Sequence, residues 1–182
     1  MRKLKLQMDM TIDGFVAGPE GQMDWMIDMN KDDTALALVN RLIDTSDTLL
    51  LGRKMIDGFI SYWEGVKRDS PEYEFAGKMI RTPKIVFSKT LKSVKGQNVR
   101  VENGPLVETV TQLKTQPGKD ILVYGGATFV SSLLEHRLID ELNLYVHPVA
   151  IGKGMQIFAQ RTPLSLANSV GCPSGVVFNT YT

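Results

Sequence analysis

Cysteine is nearly absent from this chain. Its 182 residues hold one, Cys172, and only two histidines, His136 and His147. A lone thiol builds no disulfide framework, so a reducing compartment is expected. One cysteine and two scattered histidines have no zinc-ligand spacing, so no metal is expected. Apolar runs of about 18 residues are missing, which excludes a membrane-spanning helix. Arg2, Lys3 and Lys5 make a basic start, but Gln7, Asp9 and Asp13 break up any apolar stretch after it. No secretory leader is expected, and the cytoplasm is the expected location. Neither sign of charge dominates, with 21 Lys+Arg against 20 Asp+Glu. Without a basic stripe or an acidic tail, nucleic acid is not an expected partner. Repeats, low-complexity segments and a Pro/Gly/Ser linker are also missing. The chain therefore reads as one domain over 1–182, and its 43% hydrophobic content suffices for one core. G-x-x-x-x-G-K-[ST] and G-x-G-x-x-G do not occur, so the common nucleotide-binding folds gain no support.

The informative stretch is Asp120 to Leu134. Ile121-Leu-Val-Tyr124 is too short for a helix and rich in strand formers, so it predicts a buried strand. Gly125-Gly126 breaks it. Phe129, Val130, Leu133 and Leu134 then recur at helical spacing. The amide groups that open a helix are unpaired and carry partial positive charge. Glycines before them let an anion such as a pyrophosphate approach closely.

The other segments fit around this unit. Leu4, Leu6, Met8, Met10 and Ile12 alternate with polar residues, which predicts a strand with one face in the core. Phe15 to Ala17 continues it past a bend or bulge at Asp13-Gly14. Asp32 or Asp33 caps a helix running to Ile43. Thr48 to Leu51 is a short buried strand. Pro71 suits the first turn of a helix over 72–81. Lys84 to Phe87 and Val99 to Val101 are strands, and Gly104-Pro105 opens a helix. Leu142, Leu144 and Val146 alternate again and are candidate interface residues, though one face of that strand would be buried in any monomer. Leu164 to Val170 and Val176 to Tyr181 flank a turn and form an antiparallel hairpin. Helices thus alternate with strands before a strand-rich tail. The expected fold is α/β, a mainly parallel sheet with an antiparallel hairpin at one edge.

In open α/β sheets, ligands bind beyond the carboxyl ends of the strands. Three such ends carry phosphate-binding chemistry here. One has Gly52, Arg53 and Lys54. The next has Ser88, Lys89 and Thr90. The last has Gly125, Gly126, Ala127 and Thr128. Arginine and hydroxyl groups suit a phosphate monoester, and a glycine turn suits a pyrophosphate. A dinucleotide with an extra phosphate would use both.

Thr11-Ile-Asp-Gly14, Asp24-Trp25, Leu51-Gly-Arg53, Tyr124-Gly-Gly126, Leu138-Ile-Asp-Glu141, His147-Pro148 and Ile151-Gly-Lys-Gly154 occur in that order. With them the whole chain resembles the dihydrofolate-reductase-like superfamily. The similarity is to its bacterial stand-alone branch, related to the riboflavin-biosynthesis reductase domain. The resemblance implies a mixed central sheet, NADPH as cofactor and a homodimer. It places Gly52, Arg53 and Lys54 near the adenosine phosphates and Ser88 and Lys89 at the 2′-phosphate. Gly125, Gly126, Ala127 and Thr128 would hold the pyrophosphate. Asp13, Asp24 and Trp25 would lie toward the nicotinamide and substrate. Asn30 stands near the position where dihydrofolate reductases carry a substrate-binding carboxylate, and Met55 replaces their usual Thr. Both departures argue against dihydrofolate as substrate.

The expected activity is hydride transfer from NADPH to a C=N or C=O carbon of a small heterocycle, pterin- or pyrimidine-like. Asp24 is the first candidate proton donor and Asp13 the second. Trp25 either walls the pocket or packs. Tyr62 and Trp63 either line the same cleft or pack in the core. His147 and Cys172 read as structural. The alternatives are a module that binds or senses NADPH without turnover, and a structural dimer without a cofactor site.

Overall fold

Both faces of the β1 strand, Leu4–Thr11, are covered in the computed structural model, which describes all 182 residues. The alternation predicts one buried face, but Gln7 and Thr11 on the polar face are also buried. The reason is position: β1 is central, parallel to β5 (Asp120–Gly125) on one side and β6 (Glu141–His147) on the other. Beyond β5 lie β2 (Ser46–Gly52), β3 (Lys84–Phe87) and β4 (Val99–Glu102), all parallel. Beyond β6 lie β8 (Val177–Tyr181) and β7 (Leu166–Gly171), each antiparallel to its neighbour. The eight-stranded order is β4-β3-β2-β5-β1-β6-β8-β7.

Helices cover both faces, as a largely parallel sheet requires. The α4 helix (Leu106–Thr115) and the α5 helix (Ala127–Glu135) pack Val110, Leu113, Val130 and Leu133 on one side. Against them stand Leu4, Leu6, Leu142 and Leu144. The last two are therefore core residues, and Val146 packs with them, which corrects their reading as interface candidates. On the other face sit α1 (Asp33–Asp44), α2 (Ile56–Gly65) and α3 (Tyr73–Arg81), anchored by Leu42, Phe59, Trp63 and Met79.

Local chemistry explains the boundaries. Asp32 caps α1 by accepting the Ala35 N–H at 3.0 Å. The α3 helix starts at Tyr73, so Pro71 lies in the turn ahead of it. Buried Lys84 closes α3, its ammonium donating to the carbonyls of Met79, Ile80 and Thr82 at 2.8–2.9 Å. Burial pushes that ammonium down to about 8. Gly14, at φ +87°, turns the chain out of β1. Phe15 to Ala17 therefore does not prolong the strand; Ala17 makes a single antiparallel bridge to Met155. The hairpin begins at Leu166, two residues later than the pattern predicts. No helix is long and apolar enough to cross a membrane.

Candidate active site

The carboxyl ends of β2 and β5 touch. A Cβ on Gly52 would lie 2.9 Å from the Phe129 Cβ and 3.5 Å from the Gly125 carbonyl oxygen. Only a glycine lets β2 approach α5 this closely. Gly125 has φ +129°, a conformation that favours glycine, and Gly126 opens α5 with no side chain capping it. The Gly126 N–H has no hydrogen-bond partner within the protein. Arg53 and Lys54 follow Gly52 on a 3-10 turn, exposed and without an ion pair. Phe87, the last residue of β3, stacks on Phe129 at 5.2 Å and brings the third strand end alongside. Lys89 is exposed there. Ser88 is buried, and its hydroxyl accepts the N–H groups of Thr90 at 3.2 Å and Leu91 at 2.9 Å. It shapes the loop that presents Lys89. The three ends named from sequence thus share one side of the sheet.

The β1 end is tied differently. One Asp13 oxygen accepts the Thr11 hydroxyl at 2.5 Å. The other accepts the N–H groups of Ile151 at 3.1 Å and Gly152 at 2.8 Å. The Thr11 hydroxyl, with the Gly152 N–H behind it, holds this carboxyl below its ordinary value. Asp13 is a pin between two loops, and both its oxygens are committed. Asp24 lies in an exposed turn with no internal partner. Trp25 sets its edge against the His147 ring at 5.4 Å, and its indole N–H donates to the Gln22 carbonyl at 3.2 Å. Thr11 and His147 are register partners, so Trp25 stands beside the carboxyl ends of β1 and β6.

A polar row across the sheet is not visible in the sequence pattern. Gln7 and Asp9 of β1 are in register with Asn143 and Tyr145 of β6. His147 is fully buried. Its Nδ1 accepts the Ile27 N–H at 3.1 Å, and its Nε2 faces an Asp9 oxygen at 2.9 Å. The Nδ1 must therefore be bare, so the proton sits on Nε2 and is donated to Asp9. The reading of His147 as structural agrees with this: it fastens the 25–27 segment over the sheet. Burial, then the Asp9 charge, pushes both Tyr124 and Tyr145 well above the ordinary phenol value. The Gln7 Oε1 and the Tyr145 hydroxyl are buried without a partner.

The rim of this row comes from α2 and the α3 entry. Tyr62 donates to Glu72 at 2.8 Å, and Asn30 donates to the same carboxylate at 3.2 Å. Partial burial and Glu72 push Tyr62 up to about 12. Trp63 turns the other way, into the core against Phe59 and Phe75. Cys172 is buried, which raises its thiol. Two surface grooves lie elsewhere. One, of about 670 Å³, lies between α2 and α3. The other, of about 340 Å³, is lined by Arg137, Arg161 and Pro163.

Residues 2–178 match the RibD C-terminal domain. The chain belongs to that family. Among its relatives, YyaP of Bacillus subtilis is 34% identical over 183 residues, spanning 99% of this chain and 94% of the relative. Similar folds occur in two solved structures. The first is a Thermotoga maritima diaminohydroxyphosphoribosylaminopyrimidine deaminase/5-amino-6-(5-phosphoribosylamino)uracil reductase. It matches with TM-score 0.68 at 15% identity, over 99% of this chain and 56% of that one. The second is Enterococcus faecalis dihydrofolate reductase complexed with NADP(H), with TM-score 0.60 at 15% identity, over 98% and 95%. The mixed, mainly parallel sheet with its terminal hairpin is therefore a dihydrofolate-reductase-like fold, and both of those solved structures are reductases by name.

Proposed function

We propose that this RibD C-terminal domain protein is an NADPH-dependent reductase of a small heterocycle. The observation that carries the reading is the convergence of the β2, β3 and β5 ends. A side-chain-free cradle, a free Gly126 N–H and unpaired cations at Arg53, Lys54 and Lys89 meet there. These residues fit a phosphorylated dinucleotide. Gly125, Gly126, Ala127 and Thr128 would take the pyrophosphate, with Gly52, Arg53 and Lys54 beside it. Lys89, on the loop shaped by Ser88, would take the 2′-phosphate. When bound, the nicotinamide supplies a hydride.

The chain's own residues do the rest. Trp25 and the sheet face hold a flat substrate and exclude water from it. Asp24, free of internal bonds, delivers the accompanying proton directly or through a water. Asp13 holds the neighbouring loops in place, which leaves Asp24 as the stronger of the two donors. We further propose a cytoplasmic homodimer, the unpaired edge of β7 offering a surface for a second copy.

The test monitors the near-ultraviolet absorbance of NADPH while pyrimidine and pterin carbonyl and imine compounds are offered in turn. Oxidation by wild type that falls about a hundredfold in Asp24→Asn supports the assignment. Binding of NADPH with no oxidation by any compound would leave a sensing module instead.

A further inference from the structure

The end of the sheet opposite the glycine-lined turns carries a feature that the reductase reading does not use. There β6 begins at Glu141, and antiparallel β8 finishes beside it, with Leu142 in register with Tyr181. The groove of about 340 Å³ opens at this end. Its volume lies within the range of small-molecule sites. Its floor is the main core itself. Leu134 and Leu142 are 8% and 3% exposed, and Ile139 and Leu164 pack against the same cluster. An apolar body laid here would meet core side chains and shed its water.

The charge at the rim is of one sign. Arg137 and Arg161 line the groove, and no Asp or Glu does. Neither guanidinium enters an ion pair. Asp140 and Glu141 are held by Lys114 and Lys3, and exposed Glu135 pairs with neither arginine. Thr182, also on the rim, is tied to Ser165 by two backbone hydrogen bonds of 2.9 and 3.0 Å. The groove between α2 and α3 differs, because Glu64 and Glu74 stand among its cations.

Arg137 also holds an uncommon backbone position. It closes α5 at φ +52°, its N–H donating to the Leu134 carbonyl and the Leu138 N–H to that of Leu133, both at 3.0 Å. This place after a helix favours glycine. The negative end of the helix attracts a cation, but any residue of the last turn could supply one. An arginine at the left-handed position itself carries strain that packing does not require.

We propose that this groove binds a small carboxylate with an apolar body. Arg137 and Arg161 take the carboxylate, and the floor of Leu134, Leu142 and Leu164 takes the body. The site is separate from the dinucleotide end and independent of the reductase reading. The two lie at opposite ends of the nine-residue α5, about 13 Å apart, so both can be filled at once.

Calorimetric titration with octanoate, octanamide and acetate tests this, with and without NADPH at millimolar concentration. Octanoate is expected to bind about tenfold tighter than either other probe, whether or not NADPH is present. Arg137→Gly separates binding from a structural role. Glycine suits the left-handed position, so the unliganded variant should melt at or above wild type while octanoate affinity falls about tenfold. Arg161→Ala should lose as much affinity. If Arg137→Gly melts below wild type, Arg137 serves the helix end and Arg161→Ala alone decides. Octanamide or acetate binding as tightly as octanoate would overturn the proposal, as would no octanoate binding at millimolar concentration. Octanoate affinity untouched by Arg161→Ala would overturn it too. So would octanoate displaced by NADPH and lost in Arg53→Ala, which would put the probe at the dinucleotide end.

Discussion

Replacing Gly52 with alanine should damage fold and site together. The backbone there, φ −75° and ψ 147°, accepts any residue, so the added methyl strains no dihedral. It does meet Phe129, whose Cβ would be 2.9 Å away. Carbon atoms rest at about 3.5–4.0 Å, so α5 must retreat by about half an ångström or more. Because the clash is with a Cβ, no rotamer change in Phe129 relieves it. Overpacking of this kind costs about 1–3 kcal/mol, and reduced chain entropy of the unfolded state returns about 0.4–1 kcal/mol. A net loss of about 1–2 kcal/mol lowers Tm by about 2–8 °C in a chain of this size. The displaced end of α5 is the one that opens at Gly126, so NADPH affinity should fall about tenfold as well. Circular dichroism melting and calorimetry read the two effects. A Gly52→Ala protein as stable as wild type, with unchanged affinity, would refute the close approach of β2 and α5.

Other substitutions probe the supports of the site. Lys84→Met removes the donor shared by two α3 carbonyls and that of the capping Thr82, and should cost about 2–4 kcal/mol in urea unfolding at neutral pH. Equal midpoints would show that the ammonium does not close the helix. Asp13 is held below its ordinary value of 3.8 by Thr11 and the 151–152 amides, so its folded carboxyl ionises at lower pH than the unfolded one. Its stabilisation is complete above the unfolded value and is lost as pH falls through the folded one. Wild type should therefore melt above Asp13→Asn at neutral pH. The gap should narrow as pH falls below the ordinary carboxylate value and through the lowered folded one, and a gap unchanged in acid would contradict the pinning role.

The parts of this fold legible in sequence are those governed by local rules. The apolar runs Leu49–Leu51 and Ile121–Tyr124 and the glycines that end them announce buried strands and tight exits. The helical spacing of Phe129, Val130 and Leu133 announces α5. Pairing across strands was hidden. Gln7 and Asp9 look like the wet side of a half-buried strand until β6 is known to pair with β1 from Leu6↔Leu142 to Thr11↔His147. Only the sheet order makes β1 central and covers its polar side. A polar alternation in an N-terminal strand of an otherwise parallel pattern was the available signal. His147 likewise depends on contacts 120 and 138 residues away, to Ile27 and Asp9. Ser88 does lie near the site, but its hydroxyl turns inward to the Thr90 and Leu91 amides, which no spacing encodes.

If the site binds as proposed, the glycine-lined ends of β2 and β5, with Arg53 and Lys54, hold a dinucleotide bearing a 2′-phosphate. Thermal unfolding with NADPH, NADH or no nucleotide, on wild type and Arg53→Ala, tests it most directly. A ligand at a hundredfold excess over its Kd stabilises the folded state by about 2.7 kcal/mol. Tm should rise more with NADPH than with NADH, and the NADPH rise should be smaller in Arg53→Ala. No rise with either nucleotide at millimolar concentration, or an NADPH rise untouched by Arg53→Ala, would contradict it.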